Sequence, residues 1–346
     1  MKENNQEKFE FNTITVTPSG CVVSDIVDRK TNKEWINWGY DNQMPKLLFD
    51  NYMKCSNLQS IVQSVTDYII GDGIESDFRN AGIDFEDEVK KMVFDYVLFG
   101  GFSFECIRNK MGSIAFIRYI NIMNVRVNED LTTAYISPKW NQYSAKDMVT
   151  LPLYDGTDNQ PHFIYFYRGT ITRGINPIPI YISALKSIEI LNQTREFHMQ
   201  NLKNGFSASV LISFNDGIIK KKELEDIRLK LEDNYQGATN AGKVVLVTST
   251  DKEHAPTIER LAGDNFKDQY FALQESSIND LFTAFRINPV LLGNNFASGF
   301  QAIEYQNIFE LYNKTVIKPM QNNIIKVFNH IGVNVNFKKF NLEFAD

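Results

Sequence analysis

The run Gly237-Ala238-Thr239-Asn240-Ala241-Gly242-Lys243 has the spacing of a loop that cradles phosphate. That chemistry needs a strand before the loop and a helix after it, so that amides and a helix N-terminus converge on the anion. Here the expected order is reversed: a charged helix over 220–235 precedes the loop, and the apolar strand Val244-Val245-Leu246-Val247 follows it. Val244 also stands where a magnesium-binding hydroxyl would be. The run reads as a glycine-rich helix-to-strand connection, and no nucleotide binding is expected of it.

The other reactive side chains are equally unpromising as a catalytic set. His162, His198, His254 and His330 are scattered, with no pair at metal-ligand spacing. Cys21, Cys55 and Cys106 stand far apart and suggest neither a disulfide framework nor a zinc site. Asp84, Glu86, Asp87 and Glu88 fall in the first turns of a predicted helix, where the dipole favours acids. Asp264 and Asp268 share an exposed helical face. Lys220, Lys221 and Lys222 form a basic patch that Glu223, Glu225 and Asp226 offset at once. No enzyme, cofactor or metal is expected.

Composition narrows the class further. The 346 residues are 43% hydrophobic and 23% charged, which is a globular balance. The formal charge of -6 argues against a protein that lives by tight phosphate contact, yet allows one past which nucleic acid slides. Aromatic residues reach 13%, enough for a core or for broad subunit contacts. The N-terminus lacks the apolar core of a signal peptide, and no apolar run approaches membrane length. A soluble protein of a cytoplasm-like compartment is expected.

The elements that must position these residues follow from periodicity. Residues 9–38 alternate around a Pro18-Ser19-Gly20 turn and predict one or two hairpins. Helices are predicted after Pro45, from Ser56 as cap to a stop at Gly71 and Gly73, and from Asp84 to Gly100-Gly101. Period-two runs at 104–108, 114–117 and 163–167 predict strands, with Lys110-Met111-Gly112 as a tight turn. Beyond Pro177 the expected order is a helix to about 204, a small insert with strands at 208–214 and 243–248, and a returning helix over 264–286. A loop at 288–299 and a helix bent by Pro319 come next.

Several stretches in this order resemble the portal proteins of tailed bacteriophages, in the long-tailed-phage form. They include Trp38-Gly39-Tyr40-Asp41-Asn42-Gln43-Met44-Pro45, the helix ending Ile70-Gly71-Asp72-Gly73-Ile74, and the helix with Phe197 that closes on Asn204-Gly205. The segment Gly237–Lys243 with its apolar strand is a fourth. The most specific runs from Asp268 to Pro319, through Ile278, Phe285, Ile287, Pro289, Leu291, Leu292 and Gly293 to the Thr315–Pro319 bend.

The resemblance implies an α+β portal fold: a wing over 1–176, stem helices at 177–204 and 263–287, and a clip at 205–262. It further implies a tunnel loop at 288–299, and a kinked wing or crown helix with a short tail at 300–346. The loop residues facing a DNA channel would be Asn294, Asn295, Phe296 and Ser298, hinged at Gly293 and Gly299. Lys220, Lys221, Lys222, Gly237 and Lys243 would lie in the clip that meets the packaging motor or connector proteins. The implied assembly is a homo-oligomeric ring, normally of twelve, at one capsid vertex of the virion and assembled in the host bacterial cytoplasm. Its implied partners are double-stranded genome DNA, the terminase motor, head-completion or adaptor proteins, the major capsid protein and scaffold, with no membrane. An adaptor or capsid subunit, or a nucleic-acid-processing enzyme, is the alternative.

Overall fold

The computed structural model describes residues 28–30, 34–80, 82–141, 144–155, 162–167, 174–204, 210–213, 257–260, 266–293 and 302–340. A two-residue pair, β1 (Arg29–Lys30) and β2 (Ile36–Asn37), leads into α1 (Met44–Lys54) with Pro45 in its first turn. A proline there forfeits only an amide that has no helical partner. The next helix, α2 (Ser56–Ile70), has Cys55 rather than Ser56 at its cap position, and no side chain caps it. Its apolar spacing buries Leu58, Ile61, Val62, Val65 and Ile69.

Gly71 ends α2 at φ +62, and a Cβ there would sit 2.1 Å from the Lys338 carbonyl. Only glycine admits that approach. The strand β3 (Ile74–Ser76) then leads to α3 (Phe85–Phe99), whose Asp84 cap accepts from the Glu86 amide at 3.0 Å. Gly100 closes α3 in the left-handed region.

The hairpin β4 (Gly101–Arg108) and β5 (Ile114–Ile120) follows, then β6 (Val125–Val127), β7 (Thr133–Ile136), β8 (Lys139–Trp140), β9 (Ala145–Lys146), β10 (Val149–Pro152) and β11 (His162–Tyr167). They form antiparallel sheets in the orders β11-β4-β5 and β10-β7-β6. The predicted strands at 104–108, 114–117 and 163–167 all lie in the first of these.

Helix α4 (Leu185–Asn204) leaves the body and α5 (Phe266–Phe285) returns to it. Between them β12 (Val210–Ser213) pairs with β13 (Thr257–Arg260), a strand that periodicity did not reveal. The predicted strand at 243–248 lies outside the described residues. The closing helix has two halves, α6 (Ala302–Tyr312) and α7 (Lys318–His330), joined by a π-helical turn over Asn313–Ile317. Pro319 supplies no amide to the Thr315 carbonyl, so the ladder widens just before it and the Lys318 amide bonds Asn313 instead. Last, β14 (Val335–Phe337) pairs antiparallel with β3, so this part of the expected tail belongs to the body.

One hydrophobic cluster joins α1, α2, α3, the first sheet, the base of α4 and α5, and α6–α7. Polar groups inside it are closely partnered. Asp95 is 1% exposed and accepts from the Tyr119 hydroxyl at 2.9 Å and the Ile122 amide at 3.0 Å. Glu88 accepts from the Tyr119 amide and from Lys91, both at 2.6 Å. Two carboxylates on one face of α3 thus hold β5 in place. Burial pushes the Asp95 carboxyl up to about 7, partly opposed by those two hydrogen bonds.

Arg126 is fully buried without a carboxylate in direct contact. Its guanidinium donates to Asn42 and to the Met123 and Val125 carbonyls, and lies 5.5 Å and 5.0 Å from the Trp38 and Trp140 rings. Aromatic faces stabilise a desolvated cation. Burial lowers its pKa to about 9, which leaves it charged at neutral pH.

Candidate assembly and channel site

The two long helices form an antiparallel hairpin whose base belongs to the core. Ile188 and Leu191 on α4 and Leu281 and Phe285 on α5 are buried. Tyr181 stacks on Phe285 at 4.9 Å and donates to the Leu98 carbonyl at 2.8 Å, tying both helices to α3. The Ser187 hydroxyl donates to Asp280 at 2.7 Å across the pair. Arg195 reaches back to Asn57 on α2 at 2.6 Å.

Farther out the hairpin has only itself. Phe197 and Tyr270 stack at 5.3 Å, and His198 lies 6.0 Å from the same Tyr270 ring. Yet Phe197 is 44% exposed, Met199 49%, Phe271 60% and Leu273 44%. Two packed helices bury one face each, so large apolar side chains outside that seam remain in water. An apolar surface of this kind marks a place where another protein surface docks.

At the base of α5 the chain turns twice through left-handed backbone. Arg286 has φ +56 just past the helix end, where the Ile287 amide bonds the Phe282 carbonyl at 3.0 Å. Glycine is the usual residue there, and arginine carries steric strain. A 3-10 turn over Pro289–Leu292 follows, capped by Asn288, whose Oδ1 accepts from the Val290 amide at 3.0 Å. Gly293 ends it at φ +74.

This turn is held rather than loose. Val290 and Leu291 are buried, and the Tyr68 hydroxyl on α2 donates to the Leu291 carbonyl at 2.5 Å. The same hydroxyl lies 3.4 Å from that of Tyr305 on α6. The first part of the expected loop at 288–299 is therefore a pinned root. Burial drives the Tyr68 phenol pKa far upward, so it stays a neutral donor.

Of the residues singled out by sequence, Gly293 sits at the end of this root. Asn294, Asn295, Phe296, Ser298 and Gly299, and the clip residues Lys220, Lys221, Lys222, Gly237 and Lys243, lie outside the described residues. The histidines are not brought together as ligands. His162 packs edge-on to Tyr154 at 5.1 Å, His330 lies 5.4 Å from the other side of that ring, and His254 lies outside the described residues. Among the described residues no group of three or more His, Cys, Asp or Glu could hold a metal. No described helix is long and apolar enough to cross a membrane.

Sequence reasoning missed Tyr68, Arg286 and the π-turn. The Thr315–Pro319 spacing carried a signal for the last, because an interior proline must disturb the ladder four residues back. Nothing local marks Tyr68, whose partner is more than two hundred positions away.

An α+β body carrying a two-helix stem, a pinned turn at the stem base and a bent helix returning to the body is a structural-subunit architecture. Residues 78–344 match the family model described as phage portal protein, and the chain belongs to that family. Over 174 residues it is 22% identical to a probable portal protein of Escherichia phage P2, a match covering 50% of this chain and 50% of that one. Its fold is similar to that of an HK97 family phage portal protein from Corynebacterium diphtheriae, with a TM-score of 0.58 at 10% identity over 84% of this chain and 95% of that one. A chain in the neck of the native gene transfer agent particle, computed with C12 symmetry, is similar at a TM-score of 0.56 and 11% identity, covering 85% of this chain and 83% of that one.

Proposed function

We propose that this chain is the subunit of a portal ring at one vertex of a phage capsid, the conduit through which genome DNA is packaged and ejected. The single observation that carries the reading is the apolar surface of the stem. Phe197 and Met199 on α4 and Phe271 and Leu273 on α5 lie exposed on a hairpin too thin to bury them. A head-to-tail interface repeated by rotation covers such surfaces and closes a ring. Twelve copies are the expected number, in line with the C12 symmetry of the similar neck chain.

In that ring the insert at 205–262 forms the clip that meets the terminase motor and then head-completion or adaptor proteins. The α+β body forms the wing that meets the capsid protein and scaffold. The segment from Asn294 to Gly299 leaves the pinned root at Gly293 and faces the DNA. Its Asn and Ser side chains exchange contacts with passing phosphates without adding fixed positive charge, which would hold the duplex.

Native mass spectrometry and negative-stain microscopy test the assembly. The wild-type chain is expected to give closed rings of eleven to thirteen copies. The pair Phe197→Ser and Phe271→Ser should leave folded monomers. Monomers or dimers of wild type under every assembly condition would end this reading. Replacing 294–298 with a Gly-Ser linker should preserve rings and impair DNA packaging or retention. Wild-type packaging by that variant would remove the loop assignment alone.

A further inference from the structure

The first sheet ends on β11, and half of that edge is open. At its start the Tyr154 amide donates to the Phe163 carbonyl at 3.0 Å, so Phe163 turns its polar backbone away from β4. In an antiparallel pair this direction alternates, which turns the backbones of Tyr165 and Tyr167 outward as well. Among the described residues no strand takes them up: the edge partner ends at Tyr154, and β11 is terminal in the order β11-β4-β5.

Beside this edge lies a cavity of about 500 Å³, walled by Tyr154, Tyr165, Tyr167 and, from α7, Asn323, Lys326 and His330. An unpaired edge next to an apolar groove is a template for an extended chain.

The chain enters the described structure close to this place. The Asp28 carboxylate accepts from the Ile175 and Asn176 amides at 3.0 and 3.1 Å. The Asn176 side-chain oxygen accepts from the Tyr165 hydroxyl at 3.2 Å. Asp28 is thus one side chain away from the open edge. Immediately before it runs Val22-Val23-Ser24-Asp25-Ile26-Val27, four β-branched residues of which bracket one acid. Six extended residues span roughly 20 Å, the length of β11 itself.

We propose that residues 22–27 of the same chain occupy the groove as a strand added to the open edge of β11. Tethering at Asp28 gives the segment a local concentration in the millimolar range, which favours it over a segment from a second copy. Asp25 would enter a groove whose α7 wall carries Lys326 and His330.

Hydrogen–deuterium exchange on the full-length protein tests this at the Tyr165 and Tyr167 amides. They are expected to exchange about tenfold or more slowly in wild type than in Val22→Pro/Val23→Pro, with β4 amides unchanged as the internal reference. If β4 also loses protection, an equal-length Gly-Ser replacement of 22–27 repeats the comparison. Unprotected Tyr165 and Tyr167 amides in wild type would overturn the proposal, as would equal protection in wild type and variant. Protection that rises with protein concentration would assign the groove to a second copy and overturn it too.

Discussion

The body and the stem solve opposite problems. In the body even charges are buried and partnered: Asp95 by Tyr119 and Ile122, Glu88 by Tyr119 and Lys91, Arg126 by Asn42, two carbonyls and two indole faces. In the outer stem, aromatic and aliphatic side chains lie in water for want of a third layer. A region that satisfies itself folds alone, and a region that exposes its apolar residues depends on what covers it. The boundary falls near Phe285, where the stem still belongs to the core.

Truncation on either side of that boundary gives the largest expected contrast. Phe285→Ala removes a fully buried ring stacked on Tyr181, and should cost about 4 kcal/mol in urea denaturation. Phe271→Ala should change the stability of dispersed subunits by less than about 0.5 kcal/mol while weakening assembly. Equal losses in dispersed subunits would erase the distinction.

The buried carboxylate offers a sharper probe. Asp95 has its folded pKa raised to about 7 from an ordinary 3.8. Its contribution is therefore full below the unfolded value and is lost as pH rises through the folded one. Stability should fall by about 2 kcal/mol between pH 5 and pH 7. Asp95→Asn keeps an acceptor for Tyr119 and Ile122, and should flatten that slope in parallel melts. A slope unchanged by the substitution would place the titration elsewhere.

Smaller effects belong to the stem base. Tyr68→Phe leaves the Leu291 carbonyl without its donor and should cost about 1–2 kcal/mol by chemical denaturation. Arg286→Gly should do the reverse, gaining about 0.5–1 kcal/mol by relieving the left-handed strain. A loss on Arg286→Gly would mean that the arginine side chain outweighs its backbone.

Those two residues also mark where sequence legibility ended. The helices over 56–70, 85–99, 185–204 and 266–285 were readable, because their apolar spacing and flanking glycines are local facts. So was the body's α+β character, from the change of period after Gly101. The pinned turn at Pro289–Leu292 was not. Its residues read as loop because what orders them is a hydroxyl on α2, and no local pattern encodes a partner so far away. The left-handed Arg286 is illegible for a related reason, since its type argues against its conformation. Pro319 pointed to the right place for the bend, but the widened turn itself extends back to Asn313, where the ladder first has to adjust.

The tryptophan cage around Arg126 has a consequence for how this molecule can be observed. Trp35, Trp38 and Trp140 are the three tryptophans of the chain, and all sit in one neighbourhood, with Trp35 and Trp140 centred 5.3 Å apart. Intrinsic emission excited at the red edge of the absorption band therefore reports on a single patch of the body. Fraying of the outer stem would pass without a change in that signal, although far-ultraviolet dichroism would register the lost helix. A gap between the two melting curves would measure how far the stem lives apart from the body that carries it.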